Sequence, residues 1–288
     1  MLVYTEFSLK NSVLGFMQNS QRARYRYGFE SFGVKIGIES NNESFLKKIV
    51  GNLPQIIPNG NLIENTGVTD HNFLFDTDGK IYSLSKDSED FGDSESEENS
   101  TNFFFGRLRQ TVAEFAVGKV FLHAGVVGWK EKAIVIPGNS FSGKTTLVAE
   151  LIKRGAVYYS DEYAILDEQG RTYPFPKTLS IRGVIDEYKQ IEVAPETFGG
   201  IIGSEPLPVG LVFITEYEDG AEWSPEVLSA GNGVMEILPH TIPIRYNTKF
   251  SLQVLNNLAN RAIIAKSKRG DAQEVVNLLL RFLESDTI

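Results

Sequence analysis

Residues 138 to 145 read Gly138-Asn139-Ser140-Phe141-Ser142-Gly143-Lys144-Thr145, the spacing G-x-x-x-x-G-K-[ST]. In such a run, glycines permit torsions and close approaches that a Cβ would forbid, and inward-turned backbone N–H groups form a cradle for anions. The positive end of a following helix adds to that field. Lys144 would reach terminal phosphates, the Thr145 hydroxyl would be a ligand to Mg²⁺, and Thr146 is grouped with the loop as the next residue of the same turn. Coincidence is the competing reading, and context argues against it: the apolar run Ala133 to Ile136 enters the loop, and a helical run to about Arg154 leaves it.

A short distance downstream stand Asp161 and Glu162. A carboxylate at the end of a strand beside such a loop can hold metal or accept a proton from an attacking hydroxyl. Asp161 is the candidate base. Strand alternation sends Glu162 to the other side, so the two are expected to differ in role, with Thr145, Asp161 and Glu162 as candidate metal ligands. Either carboxylate is also open to a plain reading as a strand-end acid. His123, a lone histidine at a strand start ahead of the loop, is open to a structural reading and to a site role, contacting phosphate or pairing with Asp161. His71 and His240 have no such context and are read as structural.

These residues must be positioned by a sheet and its helices. Val120 to Trp129 and Ala133 to Ile136 read as strands joined at Lys130, Glu131 and Lys132, and Val157 to Leu166 as one further strand that passes through Asp161. Val209 to Thr215 is apolar enough for a central buried strand. Val276, Leu279, Leu280 and Leu283 form one face of a closing helix. Ahead of the loop, Phe32 to Glu39 alternates like a strand, Glu43 to Val50 reads as a short helix, and Phe73 to Leu84 as a hairpin about Asp76 to Gly79. The spacing of Leu108, Val112, Phe115 and Ala116 predicts an amphipathic helix ended by Gly118. Lys86 to Thr101, rich in Ser, Asp and Glu, reads as a solvated linker. Two parts are expected: an α+β portion over 1–100 that ends in this acidic linker, and a loop-bearing portion over 101–288.

On these residues the chain resembles the catalytic domain of the HPr kinase/phosphorylase family, bacterial enzymes that phosphorylate a serine of a sugar-transport carrier protein. His123 precedes the loop at the family's spacing, Lys144 to Asp161 keeps the interval to its paired acids, and Lys153-Arg154-Gly155 resembles the matching helix end. Ile181-Arg182-Gly183 and Ile242-Pro243-Ile244-Arg245 resemble two further segments. The likeness spans roughly residues 105 to 288. Ser180 stands where the family has a metal-associated glutamate, Glu162 where it has a second aspartate, and Tyr246-Asn247 where it has Pro-Gly. The front portion does not resemble the family's usual N-terminal domain. The pattern is similar to divergent relatives beside peptide-modification genes, including kinases of lasso-peptide precursors.

The resemblance implies an α/β, HPr-kinase-type P-loop nucleotide-binding domain that uses ATP or another nucleoside triphosphate, with Mg²⁺, to phosphorylate a serine of a peptide or small protein. Asp161, His123, Lys144, Arg182 and Arg245 are its expected catalytic residues. Arg182 and Arg245 are open to two readings, neutralising developing phosphoryl charge or making surface ion pairs. Two alternatives stay open: a kinase of a free small-molecule hydroxyl, and a nucleotide-dependent binding module without catalysis. A homo-oligomer is left open.

Composition narrows the classes. At 288 residues, 42% hydrophobic and 23% charged, the chain has the balance of a globular protein with a substantial core. The net charge of −9 falls largely on Asp87, Glu89, Asp90, Asp93, Glu95, Glu97 and Glu98, and the lack of a basic surplus argues against nucleic acid as a partner. There is no cysteine, which removes disulfides and thiolate metal sites. Glu6 and Lys10 interrupt the apolar run that a signal peptide would need, so a cytoplasmic protein away from membranes is expected.

Overall fold

The computed structural model describes residues 24–63, 67–138, 142–181 and 191–285. The chain is mixed α/β and divides into two compact units, the change falling between Val117 and Gly118.

The first unit is built on one sheet. It contains β1 (Tyr25–Ser31), β2 (Val34–Ser40), helices α1 (Glu43–Gly51) and α2 (Leu53–Ile56), β3 (Gly60–Ile63), β4 (His71–Thr77), β5 (Tyr82–Lys86), β6 (Glu89–Ser94) and helix α3 (Glu97–Phe115). The sheet order is β3-β1-β2-β4-β5-β6, antiparallel except where β2 meets β4. Phe32 and Gly33, both at positive φ, make the two-residue turn between β1 and β2, so β2 starts later than the sequence pattern suggests. Phe45 of α1, Phe75 of β4 and Phe104 of α3 pack edge to face or tilted at 4.8–5.3 Å between ring centroids.

The acidic linker expected over Lys86 to Thr101 is instead folded. Two of its acids are structural acceptors: Asp87 receives the Asn72 amide at 2.8 Å, and Glu97, in the first turn of α3, bonds Lys48 at 2.5 Å and Tyr82 at 2.8 Å. A carboxylate there also favours the helix dipole, and Ser96 caps the helix by accepting the Asn99 N–H. Because Phe104 buries itself among the aromatics of the first sheet, α3 belongs to this unit, and the compact division lies beyond residue 100.

The second unit carries the glycine loop. It contains β7 (Val120–Trp129), β8 (Lys132–Pro137), α4 (Lys144–Lys153), β9 (Val157–Ser160), β10 (Tyr163–Leu166), β11 (Arg171–Tyr173), β12 (Leu179–Ile181), β13 (Ile191–Val193), β14 (Leu207–Tyr217), β15 (Glu226–Val227), α5 (Ala230–Ile237), α6 (Thr248–Ala259), β16 (Ile263–Arg269) and α7 (Ala272–Ser285). The main sheet runs β11-β10-β7-β8-β14-β16-β15, with β8, β14 and β16 parallel. Side-chain alternation splits its core into two layers. Ile134, Ile136, Leu211 and Phe213 face α4 and α7, whereas Val135, Val212 and Ile214 face α5 and α6. A central strand such as β14 is therefore apolar on both faces.

The strand expected over Val157 to Leu166 is broken at Asp161 and Glu162 into β9 and β10, which both pair with β7. Ser160 explains the break. Its hydroxyl accepts the N–H groups of Glu162 at 3.1 Å and Tyr163 at 2.9 Å, a local turn that competes with the ladder. Among the described residues, no helix is long and apolar enough to cross a membrane.

Candidate active site

The site begins where β8 ends and α4 starts. Gly143, at φ +78°, is the N-cap of α4, and a Cβ there would lie 2.3 Å from Nη2 of Arg269, so both torsion and space demand glycine. Arg269 ends β16 and is 1% exposed. Its Nη2 donates to the Gly143 carbonyl at 2.8 Å and its Nη1 to the Gly270 carbonyl at 3.0 Å. Burial pulls its pKa below the ordinary arginine value, against the opposing influence of Tyr217 and Asp271. A buried guanidinium thus braces the last peptide of the loop.

Lys144 is buried and its Nζ donates to the Gly138 carbonyl at 2.8 Å, which folds the ammonium back over the loop's entrance. The hydroxyl of Thr145, one residue on, donates to Oδ2 of Asp161 at 2.8 Å. That contact needs α4 to lie close to β7. Gly125 allows it, since a Cβ at that position would meet Cγ2 of Val148 at 2.6 Å.

Asp161 sits at the bend between β9 and β10. Burial pushes its pKa up to about 6, although the Thr145 hydroxyl and the Lys144 ammonium favour the charged form. Its Oδ1 is buried without a hydrogen-bond partner; the Ser180 amide is near enough to favour the carboxylate without completing a bond of ordinary geometry. Glu162 turns elsewhere and pairs with Lys177 at 3.2 Å. Tyr158, whose hydroxyl donates to the Lys177 carbonyl at 2.5 Å, has its pKa raised by burial and by the charge of Asp161.

His123 lies on β7 opposite Tyr163. Burial first, then the Lys144 ammonium, lower its pKa to about 4, with Glu162 opposing, so the imidazole is neutral at pH 7. Among the described contacts no hydrogen bond joins His123 to Asp161, one of its two expected roles; Oδ2 of Asp161 takes the Thr145 hydroxyl.

The other expected site residues divide. Asn139, Ser140, Phe141 and Arg182 lie outside the described residues. Gly138 and Ser142 flank the loop, and Thr146 is exposed on the first turn of α4. Arg245 is exposed at the end of a 3-10 turn, Ile242–Arg245, and no described contact ties it to Lys144 or Asp161. Ser180 bonds Oε1 of Glu192 at 2.5 Å across the β12–β13 pair, and Thr178 bonds the other oxygen. The position with serine in place of a carboxylate therefore has one on the neighbouring strand.

Two residues come to the loop that the sequence did not single out. Arg269 lies 126 positions from Gly143, and its run Lys266-Ser267-Lys268-Arg269 carries only the signature of a charged strand end. His240, which has no site context in the sequence, has its pKa lowered by burial and by Lys144, which places it near the ammonium. The bridge of Thr241 to Leu122 holds its turn against β7. The sequence signal that could have raised it is its place just ahead of Ile242-Pro243-Ile244-Arg245.

Comparison with known proteins adds one likeness. Among solved structures, the chain is similar to the HPr(Ser) kinase/phosphatase from Coxiella burnetii, with a TM-score of 0.34 and 15% identity, over 57% of this chain and 94% of that one. No protein-family model and no curated protein matches it. A likeness this slight leaves the functional reading to the site's own geometry.

The donor set suits a small hard cation. Among the described residues there is no cluster of three or more His, Asp or Glu side chains able to cage a metal. Mg²⁺ asks for less: one or two carboxylates, with water and phosphate oxygens supplying the rest. Thr145 and Asp161, already joined through Oγ1 and Oδ2, fit that requirement and leave Oδ1 for another role.

Proposed function

We propose that this chain is a P-loop kinase of the HPr-kinase type, which transfers the terminal phosphoryl group of a nucleoside triphosphate to a serine hydroxyl of a peptide or small protein. The observation that carries the phosphotransfer reading is the 2.8 Å contact of Thr145 with Asp161, which brings a carboxylate with a buried, unpartnered oxygen to the start of the loop's helix. The serine acceptor rests on the sequence resemblance over residues 105 to 288.

In this reading the backbone N–H groups at the start of α4 and the Lys144 ammonium hold the phosphates. Mg²⁺, held by Thr145 and Asp161, would neutralise charge on the phosphate oxygens. The acceptor oxygen attacks the terminal phosphorus as its proton passes to Asp161 Oδ1. A new O–P bond forms, the bond from that phosphorus to the bridging oxygen breaks, and the nucleoside diphosphate leaves. A carboxylate with a pKa near 6 is ionised at pH 7 yet more basic than an exposed aspartate. Neutral His123 adds no second cation beside Lys144.

The test follows label from the terminal phosphate of ATP, with Mg²⁺, into serine peptides, free small-molecule alcohols and water, for the wild type and Lys144→Ala. The expected result is labelled phosphoserine, lost in the variant together with thermal stabilisation by Mg-ATP. Label confined to a small alcohol would move the acceptor class. Binding without any transfer would favour a nucleotide-dependent binding module.

A further inference from the structure

Lys177 leaves the chain at a point held on both sides. Phe175 is buried, its N–H donating to the Tyr159 carbonyl at 3.0 Å and its ring 5.1 Å from that of Tyr163, and Leu179 is buried beside α4. Between these anchors the Lys177 carbonyl accepts the hydroxyl of the fully buried Tyr158, and the hydroxyls of Thr178 and Ser180 both bond Glu192. Backbone pinned this often has little conformational freedom left, so the fold itself sets where its long charged side chain begins.

That side chain goes to the acids at the bend. Nζ of Lys177 lies 3.2 Å from Oε2 of Glu162, and the two side chains are 29% and 20% exposed. Burial dominates the ionisation of Asp161, and the Lys177 ammonium is among the charges that favour its carboxylate form, so Lys177 acts on both acids. An ammonium has three donors. The contact with Glu162 occupies one, and the side chain is open enough for another to meet a substrate.

We propose that Lys177 is a catalytic residue of the transfer: its ammonium, aimed by Glu162, contacts the phosphoryl group as it passes from donor to acceptor. The inference rests on the kinase reading and adds a residue to it. Negative charge spreads over the oxygens of a phosphoryl group in flight, and catalysis consists largely of meeting that charge. Lys144, with its Nζ folded onto the Gly138 carbonyl, stands at the donor's end. The acceptor's end needs a counter-charge too. His123 is neutral, the Arg269 guanidinium is committed to two carbonyls, and no described contact brings Arg245 to Asp161. Lys177 is a cation that the fold delivers there from outside the loop. The bonds made and broken are those of the transfer itself, and no proton moves through Lys177. Glu162 thereby gains a role distinct from that of Asp161: it positions a cation, whereas Asp161 takes the proton.

The competing account is a plain ion pair that neutralises a partly buried Glu162, since removing one partner of such a pair strands the other charge. The experiment measures calorimetric binding of Mg-ADP to the full chain with and without aluminium fluoride, a planar stand-in for the phosphoryl group, beside labelled transfer from Mg-ATP. Wild type should bind Mg-ADP more tightly with the fluoride present. Lys177→Met, which keeps the length and removes the charge, should lose that gain while Mg-ADP alone binds as in wild type. Its kcat should fall about 10²–10³-fold with KM for ATP unchanged. Lys177→Arg should recover part of both losses, and Lys177→Met with Glu162→Gln should stay slow. A wild-type fluoride gain in Lys177→Met, or restoration of its rate by Glu162→Gln, would overturn the role of Lys177 while wild-type transfer kept the kinase reading intact. If the wild type labelled no acceptor and gained nothing from the fluoride, the kinase reading itself would fall, and this role with it.

Discussion

Thr145 Oγ1 donates to Asp161 Oδ2 at 2.8 Å, tying the first turn of α4 to the bend between β9 and β10. One oxygen of Asp161 is thereby fixed and the other left buried and unpaired, an arrangement that costs stability when the group is charged. The predictions start from this pair.

Asp161→Asn should lower phosphoryl transfer by about 10²–10⁴-fold, the range for a positioned general base, while Mg-ATP still binds. The same variant should be the more stable protein in metal-free buffer. The folded pKa of Asp161 is raised from 3.8 to about 6, so its ionisation destabilises the fold as pH rises through that interval. At pH 8 the variant should gain about 1–3 kcal/mol in urea unfolding, and below pH 4 the difference should vanish. An unchanged transfer rate would remove Asp161 from the role of base.

Gly143→Ala combines a left-handed torsion with a 2.3 Å approach to Arg269, and α4 cannot start unless one of them moves. A loss of about 1–3 kcal/mol is expected, with the Mg-ATP thermal shift reduced. Arg269→Lys should also destabilise, because an ammonium cannot reproduce the two-pronged contact with the Gly143 and Gly270 carbonyls. Wild-type urea midpoints for both variants would contradict the bracing role.

The approach of α4 to β7 is tested by a pair of substitutions. Gly125→Ala places a methyl 2.6 Å from Val148 and should cost about 1–3 kcal/mol by overpacking. Val148→Ala makes room, so the double variant should be more stable than the sum of the single changes implies. Strict additivity in a double-mutant cycle would show that the two positions do not meet.

His123 supplies a pH signature. Its folded pKa is lowered to about 4 from 6.5, so above pH 6.5 it contributes nothing to pH dependence, and stability is lost as pH falls from 6.5 towards 4 while the unfolded chain takes up the proton. The total is on the order of 3 kcal/mol at most. His123→Gln should flatten the melting-temperature profile across that window, and a profile as steep as wild type would place the titration elsewhere.

Local pattern made part of this protein legible. The strand that ends at Pro137 and the helix that starts at Lys144, with Gly143 at positive φ as its cap, follow from spacing and from glycine's torsional freedom, which depend only on near neighbours. The apolar run at Val209 to Thr215 marks the central strand because burial on both faces leaves no polar alternation. Tertiary structure decided the rest. The break at Asp161 arose from a competition between the Ser160 hydroxyl and the ladder, and the acidic run folded because partners from α1, β4 and β5 reached it. Arg269 beneath Gly143, His240 near Lys144 and Glu192 opposite Ser180 are meetings between separate elements, set by sheet order and strand register. No residue announces such a meeting in the sequence, because the partner that gives it meaning arrives only when the sheet closes.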